Sequence, residues 1–127
     1  MEKYFKQKVL PAVTVHSPDS ACLLAEAWLK GGVTVMEVTF RTDATAASIK
    51  RITEEFPEMT IGAGTIMLSE QVTAAMEAGA QFGLAPGLNE HIIQTAQESD
   101  FPFIPGVMTP SEIEKALELE CDFLKVF

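Results

Sequence analysis

The chain has 127 residues, enough for one domain, and its 47% hydrophobic and 21% charged content is that of a folded protein with a core rather than a disordered one. Nine basic against 18 acidic residues give a net charge of -9, which argues against a nucleic-acid partner because a phosphate backbone would be repelled. The start, MEKYFKQKVLP, has no long apolar stretch and no segment nears the ~18 apolar residues of a membrane span, so a cytoplasmic protein with no membrane partner is expected.

In chain order, short apolar runs recur with amphipathic, capped segments between them. The runs are residues 9–15, 33–40, 59–64, 81–86, 101–106 and 122–127, most of them apolar beyond simple alternation, as in a parallel sheet covered on both faces. A short helix is expected near residues 2–7. Ser17 and Pro18 start the first long helix, with Leu24, Ala27 and Trp28 as its apolar stripe and Gly31-Gly32 as its end. Ile49, Ile52 and Phe56 mark the second, stopped by Pro57, and Val72, Ala75 and Met76 the third. Asn89 can cap the fourth, and Thr109-Pro110-Ser111-Glu112 spells a capping box for the fifth.

Alternating βα units fit an open doubly wound sheet or a (β/α)8 barrel. The loop after the first strand, TVHSPDS, lacks the GxGxxG of a dinucleotide fold, so the barrel is favoured. A barrel takes about 250 residues and eight units. The expected fold is therefore an α/β chain of the (β/α)8 TIM-barrel family, truncated after the sixth strand, with residues 1–127 as one partial barrel domain. An apolar last strand without a following partner would leave an open edge, so self-association is expected.

Barrel chemistry sits at the C-terminal strand ends. Those ends carry Glu37, Thr39, Arg41 and Thr42; Gly62, Gly64 and Thr65; Pro86 and Gly87; Pro105 and Gly106; and Lys125 and Phe127. Lys125 interrupts the apolar DFLKVF: it is either an edge lysine reaching solvent or an interior amine able to attack a ketone. Glu37 in VTVMEVTF is either half of a structural ion pair with Arg41, four residues on along the same face, or a buried general acid/base. Arg41 is a carboxylate clamp or an ordinary loop arginine, and Thr65 a hydrogen-bond donor to substrate or the start of a helix. Cys22 and Cys121 are far apart without CxxC spacing, and His16 and His91 have no partner at ligand spacing, so no metal is expected.

EVTFRT (37–42), GAGT (62–65), APG (85–87), FIPGVMTPSE (103–112) and DFLKVF (122–127), in this order and spacing, resemble the bacterial 2-keto-3-deoxy-6-phosphogluconate (KDPG) / 4-hydroxy-2-oxoglutarate (KHG) aldolase family. The resemblance covers essentially the whole chain. It implies a homotrimeric barrel enzyme of the Entner–Doudoroff route, without metal or organic cofactor, that cleaves a phosphorylated keto acid to pyruvate and glyceraldehyde 3-phosphate. It further implies Lys125 as the Schiff-base lysine and Glu37 as the general acid/base. Arg41 and Thr65 would bind the pyruvate carboxylate end, and Pro86 and Phe127 would line the pocket. The family continues after KVF into strands that hold the substrate phosphate, and it commonly has glycine where this chain has Glu120. A weakly active or inactive half-barrel that pairs with itself or with a complementary fragment is the alternative of another class. A phosphate-handling isomerase is a third, which leaves Lys125 and Glu37 unexplained.

Overall fold

A computed structural model describes residues 1–127 apart from the side chain of Lys3. A single 3-10 turn at Glu2–Tyr4 stands where a short helix is expected, followed by β1 (Ala12–Val13), α1 (Pro18–Lys30), β2 (Val35–Thr39), α2 (Thr45–Glu55), β3 (Thr60–Gly64), α3 (Ser69–Glu77) and β4 (Phe82–Leu84). The remainder is α4 (Glu90–Glu98), β5 (Phe103–Ile104), β6 (Gly106–Val107), α5 (Pro110–Glu118) and β7 (Lys125–Val126).

Helix starts lie where local chemistry sets them. The Ser17 hydroxyl accepts from the Ser20 N–H, Asn89 accepts from His91 and Ile92, and Thr109 and Glu112 satisfy each other's N–H groups reciprocally. At α3 the cap comes from inside the helix, where Gln71 Oε1 accepts from Met67 and Leu68. After α1 the chain turns through Gly32 at φ +82°, a conformation that costs glycine nothing.

The buried face of α1 differs from the expected stripe. Ala21, Cys22 and Ala25 are buried, with Trp28 and Leu29 packed beside them, whereas Leu23, Leu24 and Ala27 face outward. Small residues win because they let the helix lie close against the sheet and against α2.

All strand pairs are parallel, in the order β1-β2-β3-β4-β5 followed by β6-β7. The fifth expected strand is divided at Pro105, which has no N–H to give to a ladder. Its carbonyl still accepts from Lys125, and Phe127 donates to Val107. The six expected strands thus form one arc, with shorter hydrogen-bonded segments than their apolar runs.

Side chains alternate across this sheet. Met36, Val38, Ile61 and Ala63 pack outward against the helices, in a core with Ile49, Ile52, Val72, Ala75 and Ile92. Val35, Phe82, Leu84 and Ile104 pack inward, joined by Tyr4, Phe5, Leu10 and Phe123. Phe82 sits between Tyr4, stacked at 5.3 Å, and Phe5, edge-on at 5.4 Å, so the first residues floor the interior. Burying a side chain of this size is worth about 1.5–3 kcal/mol. A flat sheet would separate β2 from β7 by four strand spacings, about 19 Å. Their side chains nevertheless meet, because the sheet curls as a barrel wall does.

Candidate active site

Glu37 occupies the middle of β2 and points inward with Val35 and Thr39, and it is 2% exposed. A carboxylate so deeply buried needs a partner, and Lys125 of β7 supplies one. Its Nζ lies 3.5 Å from both carboxylate oxygens, across 88 residues of sequence. That is the outer limit of a hydrogen bond, close enough for a proton to pass once a reactant tightens the geometry. The Lys125 side chain remains 34% exposed, so the amine is reachable while its carboxylate is not. The two residues border an otherwise largely apolar cavity of 390 Å³ that includes Leu10, Leu84, Ile104 and Phe123.

The Phe127 ring lies 5.6 Å from the Lys125 amine and is 61% exposed, forming a cation–π contact at the rim. Thr65 follows β3 in the left-handed region at φ +56°, an unusual place for a β-branched residue. Arg41 follows β2 in an exposed loop and lines a separate cavity of 380 Å³ with Thr42, Asp43 and Gln71. Among the described residues it makes no ion pair, so the Glu37–Arg41 bridge entertained from spacing is not formed; Lys125 takes that carboxylate. Pro86 is exposed at the end of β4 and borders a third cavity of 190 Å³, with Ile66, Leu88 and Phe103, rather than the one that holds Lys125. The structure therefore brings Glu37, Lys125 and Phe127 together, and places Arg41, Thr65 and Pro86 just after their strands, with Arg41 and Pro86 on separate cavities.

A feature that the sequence reading missed is a hydroxyl pair. Thr39 donates to the Val13 carbonyl at 3.0 Å, and its oxygen stands 3.1 Å from that of Thr14. The alternation of AVTV, which puts Thr14 on the face of Ala12, was the available signal. Among the described residues, no group of three or more His, Cys, Asp or Glu side chains could hold a metal ion.

A family model for KDPG and KHG aldolases matches residues 1–127. The chain belongs to this aldolase family. It is 38% identical over 127 residues to a 2-dehydro-3-deoxy-phosphogluconate aldolase of Haemophilus influenzae, covering 100% of this chain and 60% of the relative. A Treponema pallidum aldolase of the same description is 40% identical over 120 residues, or 94% of this chain and 57% of the relative. The chain thus spans somewhat under two thirds of the length of these aldolases.

Solved aldolase structures superpose on the same arc. A 2-keto-3-deoxy-6-phosphogluconate aldolase from Zymomonas mobilis gives a TM-score of 0.87 at 33% identity, covering 93% of this chain and 57% of that one. A KDPG aldolase from Legionella pneumophila, with pyruvate captured at low pH as a covalent carbinolamine intermediate, gives 0.83 at 34% identity, covering 87% and 53%. The fold is that of the aldolase barrel, with this chain supplying its six-strand arc.

Proposed function

We propose that residues 1–127 form a partial barrel domain carrying the imine chemistry of a class I aldolase that cleaves KDPG to pyruvate and glyceraldehyde 3-phosphate. The same chemistry would cleave KHG to pyruvate and glyoxylate. The observation that carries the reading is the Lys125 amine 3.5 Å from the buried Glu37 carboxylate. The carbinolamine reported for the Legionella relative supports it, since that adduct is the first intermediate of the same chemistry.

In this mechanism the neutral Lys125 amine adds to the C2 carbonyl of the keto acid, and loss of water gives the imine. Glu37 accepts the C4 hydroxyl proton; the C3–C4 bond breaks, its electron pair forms the C2=C3 bond of the enamine as the C=N pair of the protonated imine moves to nitrogen, and the aldehyde leaves. Glu37 returns the proton to C3 of the enamine, and hydrolysis releases pyruvate and the free amine. Arg41 and Thr65 would hold the carboxylate end, with Phe127 at the rim beside the amine; Pro86, expected as a lining residue, borders the neighbouring cavity instead. No metal or organic cofactor takes part.

The family likeness supports a place in the Entner–Doudoroff route and a homotrimer. One similar solved structure is a protein cage designed by fusing symmetric oligomeric domains. Exposed Met67, Leu68 and Met108 beyond the strand ends offer apolar surface for such contacts. A cytoplasmic location is consistent with there being no helix, among the described residues, long and apolar enough to cross a membrane.

The deciding experiment is borohydride reduction in the presence of pyruvate, followed by peptide mapping. A single adduct on Lys125, abolished by Lys125→Ala and slowed by Glu37→Gln, is expected. Labelling spread over surface lysines would overturn the reading.

A further inference from the structure

Two glycines of β3, Gly62 and Gly64, face the interior beside Glu37. Neither has a positive φ, so the backbone does not require glycine at either place. Space does, and for different reasons. A Cβ on Gly62 would lie 2.2 Å from the Phe82 ring, whereas a Cβ on Gly64 would lie 1.9 Å from Glu37 Oε1 and 2.5 Å from its Cδ and Cγ.

Register explains why the carboxylate is there. The residue opposite Glu37 on β3 is Gly62, and the residue opposite Thr39 is Gly64. The Glu37 side chain therefore leans one pleat towards the C-terminal strand ends and lies over the neighbouring backbone. We propose that Gly64 is a positioning residue for the Glu37–Lys125 pair: its missing side chain is the seat of the carboxylate, and it sets the distance to the amine. The geometric part stands on the contacts alone; the catalytic consequence rests on the aldolase reading.

A methyl group on Gly64 would force the carboxylate to move by about 1 Å or more to regain ordinary contact distance. A misplacement of about 1 Å can cost a positioned catalytic group about 100-fold in rate. The matched control is Gly62→Ala, whose nearest clash is with the Phe82 ring. Shortening the acid with Glu37→Asp should make room again.

Two measurements separate the positioning claim from the aldolase reading. Crystal structures of the wild-type chain and the variants read the Glu37–Lys125 distance directly, without a reagent having to reach the buried carboxylate. The contact near 3.5 Å between the acid at position 37 and the Lys125 amine is expected in the wild-type chain and in Gly62→Ala, is expected to be lost in Gly64→Ala, and should return in Gly64→Ala/Glu37→Asp. Pyruvate and borohydride trapping at Lys125 should fall about 100-fold in Gly64→Ala and recover in part in the double variant.

The contact without any trapping in the wild type would sink the aldolase reading and leave the seat in place. An unchanged distance in Gly64→Ala, or no contact in the wild type, would overturn the seat. If Gly64→Ala does not fold, the double variant decides: folding with the contact restored supports the carboxylate as the obstacle, and failure to fold overturns it.

Discussion

Thr39, 3% exposed on the face that carries Glu37, ties β2 to β1 through its hydroxyl, which donates to the carbonyl of Val13. The Thr14 hydroxyl, 3.1 Å away, completes a short relay at the level of Gly64. Thr39→Val keeps the shape and removes the donor, leaving the Val13 carbonyl without that partner. A loss of about 1–3 kcal/mol is expected in urea denaturation. Thr14→Val, on an exposed residue, should cost clearly less.

Glu120, just beyond α5, has φ +57°, the left-handed region that penalises a side chain. Glu120→Gly should stabilise the chain by about 0.5–1 kcal/mol, despite the added freedom of the unfolded state. A rise in the denaturant midpoint at constant slope is the expected result, and a fall would show that the side chain contributes more than it strains.

Glu112 accepts from the backbone N–H groups of Met108 and Thr109 and from the Thr109 hydroxyl, and these bonds hold its carboxyl below the usual carboxylate range. Because the folded form binds its proton less readily than the unfolded form, the contribution is present above the ordinary carboxylate value, about 4.3. It is lost as pH falls through the lower folded value. Glu112→Gln should therefore flatten the acid limb of the stability curve below about pH 4. Thr109→Ala should cost about 1 kcal/mol at neutral pH by removing the cap.

Burial pushes the thiols of Cys22 and Cys121 up, with nearby Glu55 adding to the first and Asp122 to the second. Both should react slowly with iodoacetamide at pH 8 in the native chain and quickly in urea. Fast native labelling of Cys22 would show that α1 opens away from α2 far more often than its packing suggests.

Features set by a few neighbouring residues were legible in the sequence. Ser17, Asn89 and Thr109 cap the helices they precede because a cap needs only its own first turn. The α1 stripe was not, since Leu24 and Ala27 obey the helical period as well as Ala21 and Ala25 do, and only the closeness of the sheet separates the two faces. Strand lengths were overstated for a related reason: an apolar run records burial, while a ladder also needs N–H groups, which Pro105 lacks. Glu37 and Lys125 drew notice as charges in apolar strands, yet their contact across 88 residues depends on how far the sheet curls. The seat at Gly64 lies further still from what a linear reading carries, because an absent side chain acquires meaning only from what fills its place.

The break at Pro105 has a consequence for how the molecule breathes. Lys125 belongs to the β6–β7 ladder with α5, while Glu37 belongs to the five-strand ladder, and the two are joined across the break by the Gly106 to Gly87 hydrogen bond at 3.3 Å and by packing. Amide hydrogens on the two sides of the proline have no common ladder to open together, so deuterium uptake should divide there into a slow unit through Ile104 and a faster one beyond. The amine and its carboxylate would then ride on different units, and each local opening of the smaller one would part them without unfolding the rest.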